Sequence, residues 1–147
     1  MISMENLVSK LKEHFNNQLE LSENGRAIYV NKDILVEGMK YLKEEAGFSQ
    51  LVDITSADYI DYYEVVYHLA NSSVELLSLK VKVDKETSEI PTLTSVWKAA
   101  NQQEREIYDL MGIIFKGHEN LTRILCPESF VGHPLQKSFK LDKVSRF

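Results

Sequence analysis

The sequence predicts an α+β fold: a mostly antiparallel sheet backed by helices on one side, followed by an extended, irregular C-terminal arm. Three observations carry this reading. Tyr63, Val65, Tyr67 and Leu69, and then Leu77, Leu79, Val81 and Val83, alternate with their neighbours at the period of two that a half-buried strand requires. Leu7, Val8, Leu11 and Phe15, and later Leu35, Met39 and Leu42, recur at helical spacing. Beyond Gly112 the remaining residues, about 35, show little periodicity and are broken by Gly117, Pro127, Gly132 and Pro134, which is too long for an internal loop. The expected organisation is a core over residues 1–112 and a partner-docking arm over 113–147, within one domain.

Taken in order, Met4 to Leu19 forms the first amphipathic helix. Asn24-Gly25 turns the chain into a short strand, Arg26 to Val30. Asn31 caps a second helix that runs to Gly47. Leu51 to Ala57 is rich in strand formers and opens a meander with the two alternating strands. The third helix takes Thr94 or Ser95 as its cap and Gly112 as its stop, and presents Trp97, Ala100, Glu104, Tyr108 and Met111 on one stripe.

Composition excludes several functions. With 147 residues, 44% of them apolar, the chain buries an ordinary core, hiding roughly 70% of its unfolded surface. Cys126 is the only cysteine. No intrachain disulfide can form, which suits a reducing compartment, and a single thiol cannot hold an iron–sulfur cluster. No apolar run approaches the roughly 20 residues of a spanning helix, and the start lacks the basic and apolar regions of a signal peptide. Membrane contact is therefore expected only through a partner. The net charge of −5 is unevenly spread. Residues 1–111 carry 11 Lys+Arg against 19 Asp+Glu, and residues 112–147 carry 6 against 3. An acidic body with a basic end argues against nucleic-acid binding and suits an acidic groove on another protein, or simply a solvated terminus bearing Lys140, Lys143 and Arg146.

Four constellations carry possible chemistry. Glu104-Arg105-Glu106 lies mid-helix. Glu104 shares the apolar stripe and so needs an Arg or backbone donors. Arg105 and Asp109 are four apart and can pair along the helix. Glu104 and Glu106 point about 200° apart and cannot flank one substrate atom. His118, Cys126 and His133, with Glu128 or Asp109, match no familiar zinc spacing; each histidine follows a glycine, which reads as turn geometry. Cys126 precedes Pro127, which has no amide to stabilise an oxyanion, so nucleophilic catalysis is unfavoured. The tyrosines at 59, 62, 63 and 67 suit a sheet better than a base-stacking platform. No phosphate loop or dinucleotide fingerprint is present.

The stretch from Ala99 through Glu104-Arg105-Glu106-Ile107-Tyr108-Asp109-Leu110-Met111-Gly112 to Ile113 resembles the signature of the 30 kDa, C-type subunit of respiratory complex I, the NADH:quinone oxidoreductase. Its continuation, Phe115-Lys116-Gly117-His118 and then Arg123 to Glu128, resembles the same family, as does Gly132-His133-Pro134-Leu135-Gln136-Lys137-Ser138-Phe139. The chain departs from the family pattern where an aromatic is common (Gln102), where a basic residue is (Thr122), and where Arg and Asp are (Gln136 and Ser138). The resemblance implies a peripheral subunit with no cofactor, metal or catalytic centre of its own, on the cytoplasmic side of the cell membrane. Its expected partners are the large quinone-site subunit of the D type and neighbouring iron–sulfur subunits. Glu104, Arg105, Glu106, Asp109, His118, Arg123, His133, Pro134 and Lys137 are the expected partner-facing and motif residues. Two alternatives stay open: the equivalent subunit of a membrane-bound nickel–iron hydrogenase, and a stand-alone metal-dependent enzyme.

Overall fold

The computed structural model describes residues 4–126 and 131–136. Helix α1 (Met4–Phe15) buries Leu7, Val8 and Leu11 and stops at Asn16, whose backbone is left-handed (φ 61°). Leu19 therefore does not extend the helix as its spacing suggested. It opens strand β1 (Leu19–Leu21) and pairs with Val30 of β2 (Ala27–Val30). Asn31 does cap, but its Oδ1 accepts from the Asp33 amide at the head of a 3-10 turn, Lys32–Ile34, and this turn leads into α2 (Leu35–Glu44).

Strands β3 (Gln50–Asp58), β4 (Tyr62–Ala70) and β5 (Leu76–Asp84) form the expected antiparallel meander. The five-stranded sheet has the order β1-β2-β5-β4-β3, with β2 running parallel to β5. Register places Val65 beside Val81, Tyr67 beside Leu79 and Leu69 beside Leu77, which makes one face continuously apolar. Leu11, Leu35, Met39 and Leu42 from α1 and α2 pack around Leu79 on that face. The opposite face is wet. There Lys80 approaches Glu64 at 3.6 Å, His68 pairs with Asp53, and Lys82 sits over the Tyr62 ring.

The remainder builds a second, smaller unit on the edge beside β3. Strand β6 (Glu89–Pro91) is followed by α3 (Ala100–Met111) and β7 (Ile114–Lys116), and β6 and β7 pair in parallel. Thr94 and Ser95 do not cap α3. The chain first makes a turn in which the Trp97 amide donates to the Leu93 carbonyl, and α3 begins only at Ala100, with no side-chain cap. Gly112 ends the helix as expected, in the left-handed conformation (φ 78°). Immediately beyond it Ile113 and Phe115 are buried in the core. Two bonds fix α3 and the turn before it to the edge of the sheet. Gln103 Oε1 of α3 accepts from the Ile54 amide of β3 at 2.6 Å, and the Trp97 indole in that turn donates to the carbonyl of Ser49, just before β3, at 2.9 Å.

Candidate functional site

Glu104, Arg105, Glu106, Asp109, His118, Arg123, His133 and Pro134 all gather around α3, along its length and at its C-terminal end. Lys137, Glu128 and the basic end lie outside the described residues.

Asp109 is the hub. It is fully buried, and the arm folds over it. The Arg123 Nε donates to Oδ1 at 2.5 Å. The successive amides of Ile124, Leu125 and Cys126 donate to Oδ2 at 3.0, 2.6 and 2.8 Å. Burial alone would push this carboxyl up; the Arg123 guanidinium and the three amides outweigh it and hold the group well below the usual carboxylate range. The expected Arg105–Asp109 pair along the helix does not form, because Arg123 and the amides occupy both carboxylate oxygens. Arg105 turns to the arm instead, donating from Nη2 to the Thr122 hydroxyl at 3.0 Å and from Nε to its carbonyl at 3.3 Å.

A helix leaves its last carbonyls without internal partners, and here the arm supplies them. Arg123 Nη2 donates to the Asp109 carbonyl at 2.9 Å and to Gly132 at 2.7 Å. His133 Nδ1 donates to the same Asp109 carbonyl at 2.8 Å. Pro134 sits at the second position of a turn closed by the Gln136 amide on the His133 carbonyl, where its fixed φ is favoured. That turn brings the Leu135 amide to the Leu110 carbonyl and the Gln136 side chain to the Met111 carbonyl. An amide donor is sufficient at this last contact, so the departure at Gln136 keeps the cap. The departure at Thr122 likewise gives Arg105 an acceptor where a basic residue would oppose it. Gly112 is needed for space as well as for its φ: a Cβ there would lie 2.8 Å from the His133 and Gln136 side chains.

His118 is held by Asn101 and Asn120. Nε2 lies 3.2 Å from the Asn101 carbonyl and Nδ1 accepts from the Asn120 amide at 3.0 Å, which requires hydrogen on Nε2. Glu106 is half-buried and accepts weakly from Gln102. With His118 and His133 committed to separate carbonyls, the zinc constellation is not assembled; among the described residues no three His, Cys, Asp or Glu side chains come together as a metal site. Burial and the Asp109 charge raise the Cys126 thiol, which opposes a nucleophilic role.

Glu104 is completely buried and finds backbone and hydroxyl donors rather than an arginine. Thr92 Oγ1 lies 2.5 Å from Oε1, and the Leu93 amide donates to Oε2 at 2.8 Å. Burial pushes its carboxyl up to about 7, against these two bonds, which pull it down. The Tyr67 hydroxyl, also buried, has no hydrogen-bond partner among the described residues. Sequence reasoning missed Thr92, the amides of residues 124–126 and Gln136. Thr92 carries no motif. Residues 124–126 lie in a family-like stretch, but a backbone amide leaves no side-chain signal; Gln136 stood out only as a departure from the family pattern.

Three comparisons bear on the chain. The profile of the family described as respiratory-chain NADH dehydrogenase, 30 Kd subunit, matches residues 28–145. The C-type subunit of the NADH-quinone oxidoreductase of Moorella thermoacetica is 45% identical over 143 residues, covering 94% of this chain and 96% of the relative. That of Geotalea uraniireducens is 40% identical over 146 residues, covering 95% and 89%. Among solved structures, the trypsin-resistant fragment (1–134) of Nqo5 superposes with a TM-score of 0.65 at 29% identity, covering 81% of this chain and 100% of the fragment.

Proposed function

The chain belongs to the 30 kDa subunit family of the respiratory-chain NADH dehydrogenase, and from that premise we propose that it serves as the C-type subunit of an NADH–quinone oxidoreductase. It is a peripheral-arm component without a redox centre of its own. It docks through the segment after Gly112 onto the large quinone-site subunit, of the D type, and onto neighbouring iron–sulfur subunits, on the cytoplasmic side of the membrane. No helix among the described residues is long and apolar enough to cross a membrane.

The observation that carries the docking surface is the anchored arm. Its backbone is tied to Asp109 and Leu110 and its Gln136 side chain to Met111, yet Leu125, Val131 and Leu135 are 57%, 78% and 58% exposed. Single exposed apolar residues are ordinary, but three on the two anchored stretches 121–126 and 131–136 make a surface suited to burial against another protein. Asp109, Arg123, His133 and Pro134 shape that surface from within. Arg105, Glu106, His118 and Lys137 are assigned to the partner-facing side, with Glu104 anchoring α3 from below.

Affinity capture of the tagged protein from mildly solubilised membranes, with the partners identified by mass spectrometry, tests this reading. A quinone-site subunit recovered with NADH-binding and iron–sulfur subunits is the expected result. A nickel-binding large subunit would move the chain to a hydrogenase, and no partner at all from intact protein would overturn the assignment.

A further inference from the structure

We propose that Glu104 is a buried proton-binding site that exchanges with solvent through the hydroxyls of Thr92 and Thr94. This inference is independent of the proposed assembly and rests on three oxygens in line. Thr92 Oγ1 lies 2.5 Å from Glu104 Oε1 and 3.1 Å from Thr94 Oγ1. Glu104 is fully buried, whereas Thr92 and Thr94 are both partly exposed residues, so the hydroxyls link the core carboxyl to residues that reach solvent.

Thr92 has a single hydroxyl proton and two oxygen neighbours that can take it. With Glu104 ionised, Thr92 donates to the carboxylate. With Glu104 neutral, the carboxyl O–H donates to Thr92 Oγ1, whose own proton turns to Thr94. The Leu93 amide donates to Oε2 in both states. Either charge state is therefore hydrogen-bonded, which is the condition for a buried acid to take up and release a proton without disrupting its surroundings. In uptake, water gives a proton to Thr94, Thr94 passes its own to Thr92, and Thr92 passes its own to Glu104. Each hydroxyl ends with one proton, the carboxylate has gained one and water has lost one.

The surroundings leave the negative charge uncompensated. On β3, Asp53 pairs with His68 on the open face and Asp58 with Lys85. Lys116 on β7 is exposed, and Glu89 on β6 is half-buried. On α3 itself, Arg105 reaches Thr122 and the Tyr108 ring neighbours His133. From β4 Glu104 is sensed by Tyr67, whose hydroxyl is held well above its ordinary range by burial and then by the Glu104 charge. Among the described residues no cation pairs with Glu104. Burial raises its affinity for a proton, to a midpoint of about 7, and no neighbouring cation offsets it.

The test is a carbon-13 NMR titration of the glutamate side-chain carboxyls in the full-length protein, from about pH 4 to about pH 9. One glutamate is expected to titrate near neutrality and to vanish from the spectrum in Glu104→Gln. In Thr92→Val its midpoint should move upward, because a donor to the ionised form is lost. Over the same range the folding constant of the wild type should fall on the order of a hundredfold relative to Glu104→Gln. If every glutamate titrates below about pH 5, or if the late-titrating carboxyl survives in Glu104→Gln, the site is overturned. An unmoved midpoint in Thr92→Val overturns the hydroxyl connection. Should Glu104→Gln fail to fold, the wild-type titration and Thr92→Val still decide the matter.

Discussion

Glu104 and Asp109 are five residues apart on one helix, both carboxylates and both removed from solvent, yet their environments drive them in opposite directions. Asp109 receives an arginine and three backbone amides, enough to outweigh burial and keep it ionised. Glu104 receives one hydroxyl and one amide, too little to overcome burial, and it holds its proton toward neutrality. Burial alone therefore does not set the charge of an acid. The number and charge of the donors that reach it do. The difference also divides labour along α3: the Glu104 half fixes the helix to the 92–93 segment of the body, and the Asp109 half fixes the arm to the helix.

The contrast is broken most severely at Asp109. Asp109→Ala leaves Arg123 and three amides facing a void, and should cost about 3–5 kcal/mol in urea unfolding, with earlier proteolysis within the arm. The pH dependence comes next. Because the folded Glu104 carboxyl is raised from 4.5 to about 7, its contribution is undiminished below 4.5 and is lost as pH rises through 7. The total is on the order of 3 kcal/mol, and Glu104→Gln should flatten it. Asp109 has the opposite sign. Its folded carboxyl is depressed, so its stabilisation is present above the ordinary carboxylate range and is lost as pH falls below it. Acid unfolding of Asp109→Asn should lack that component. Gly112→Ala, which meets His133 and Gln136 and must adopt a positive φ, should cost about 1–2 kcal/mol and should loosen the 131–136 turn first. Arg105→Ala removes only an exposed pair of bonds to Thr122; a loss below about 1 kcal/mol is expected for the isolated protein. Its effect should be a lower assembly yield in the membrane complex, and an unchanged yield would remove Arg105 from the proposed interface.

The legible parts of the sequence were those with long periodicity. Strands β4 and β5 could be read from alternation, β3 from its strand-forming residues, and the stop at Gly112 from one glycine. Strands β1, β6 and β7 have three residues each, too few for a period to show against neighbouring patterns. Leu19 illustrates the failure: its helical spacing from Phe15 was real, but Asn16 ended the helix before it. At the site, the sequence marked Asp109 but assigned it the wrong arginine. Local spacing favours Arg105 at four residues, whereas the observed partner, Arg123, is fourteen residues away in a segment without regular structure. Glu104 was readable as a carboxylate on an apolar stripe. Its donors were not, because backbone amides and a threonine hydroxyl leave no distinctive pattern.

The three amides that converge on Asp109 have a further consequence for association. A segment that becomes ordered only on meeting its partner must give up backbone freedom at that moment, at roughly 1–2 kcal/mol per residue. Residues 124–126 have surrendered theirs during folding, to an acceptor inside their own chain. A partner that closes over Leu125 therefore meets a surface already shaped, and more of the contact energy remains as affinity.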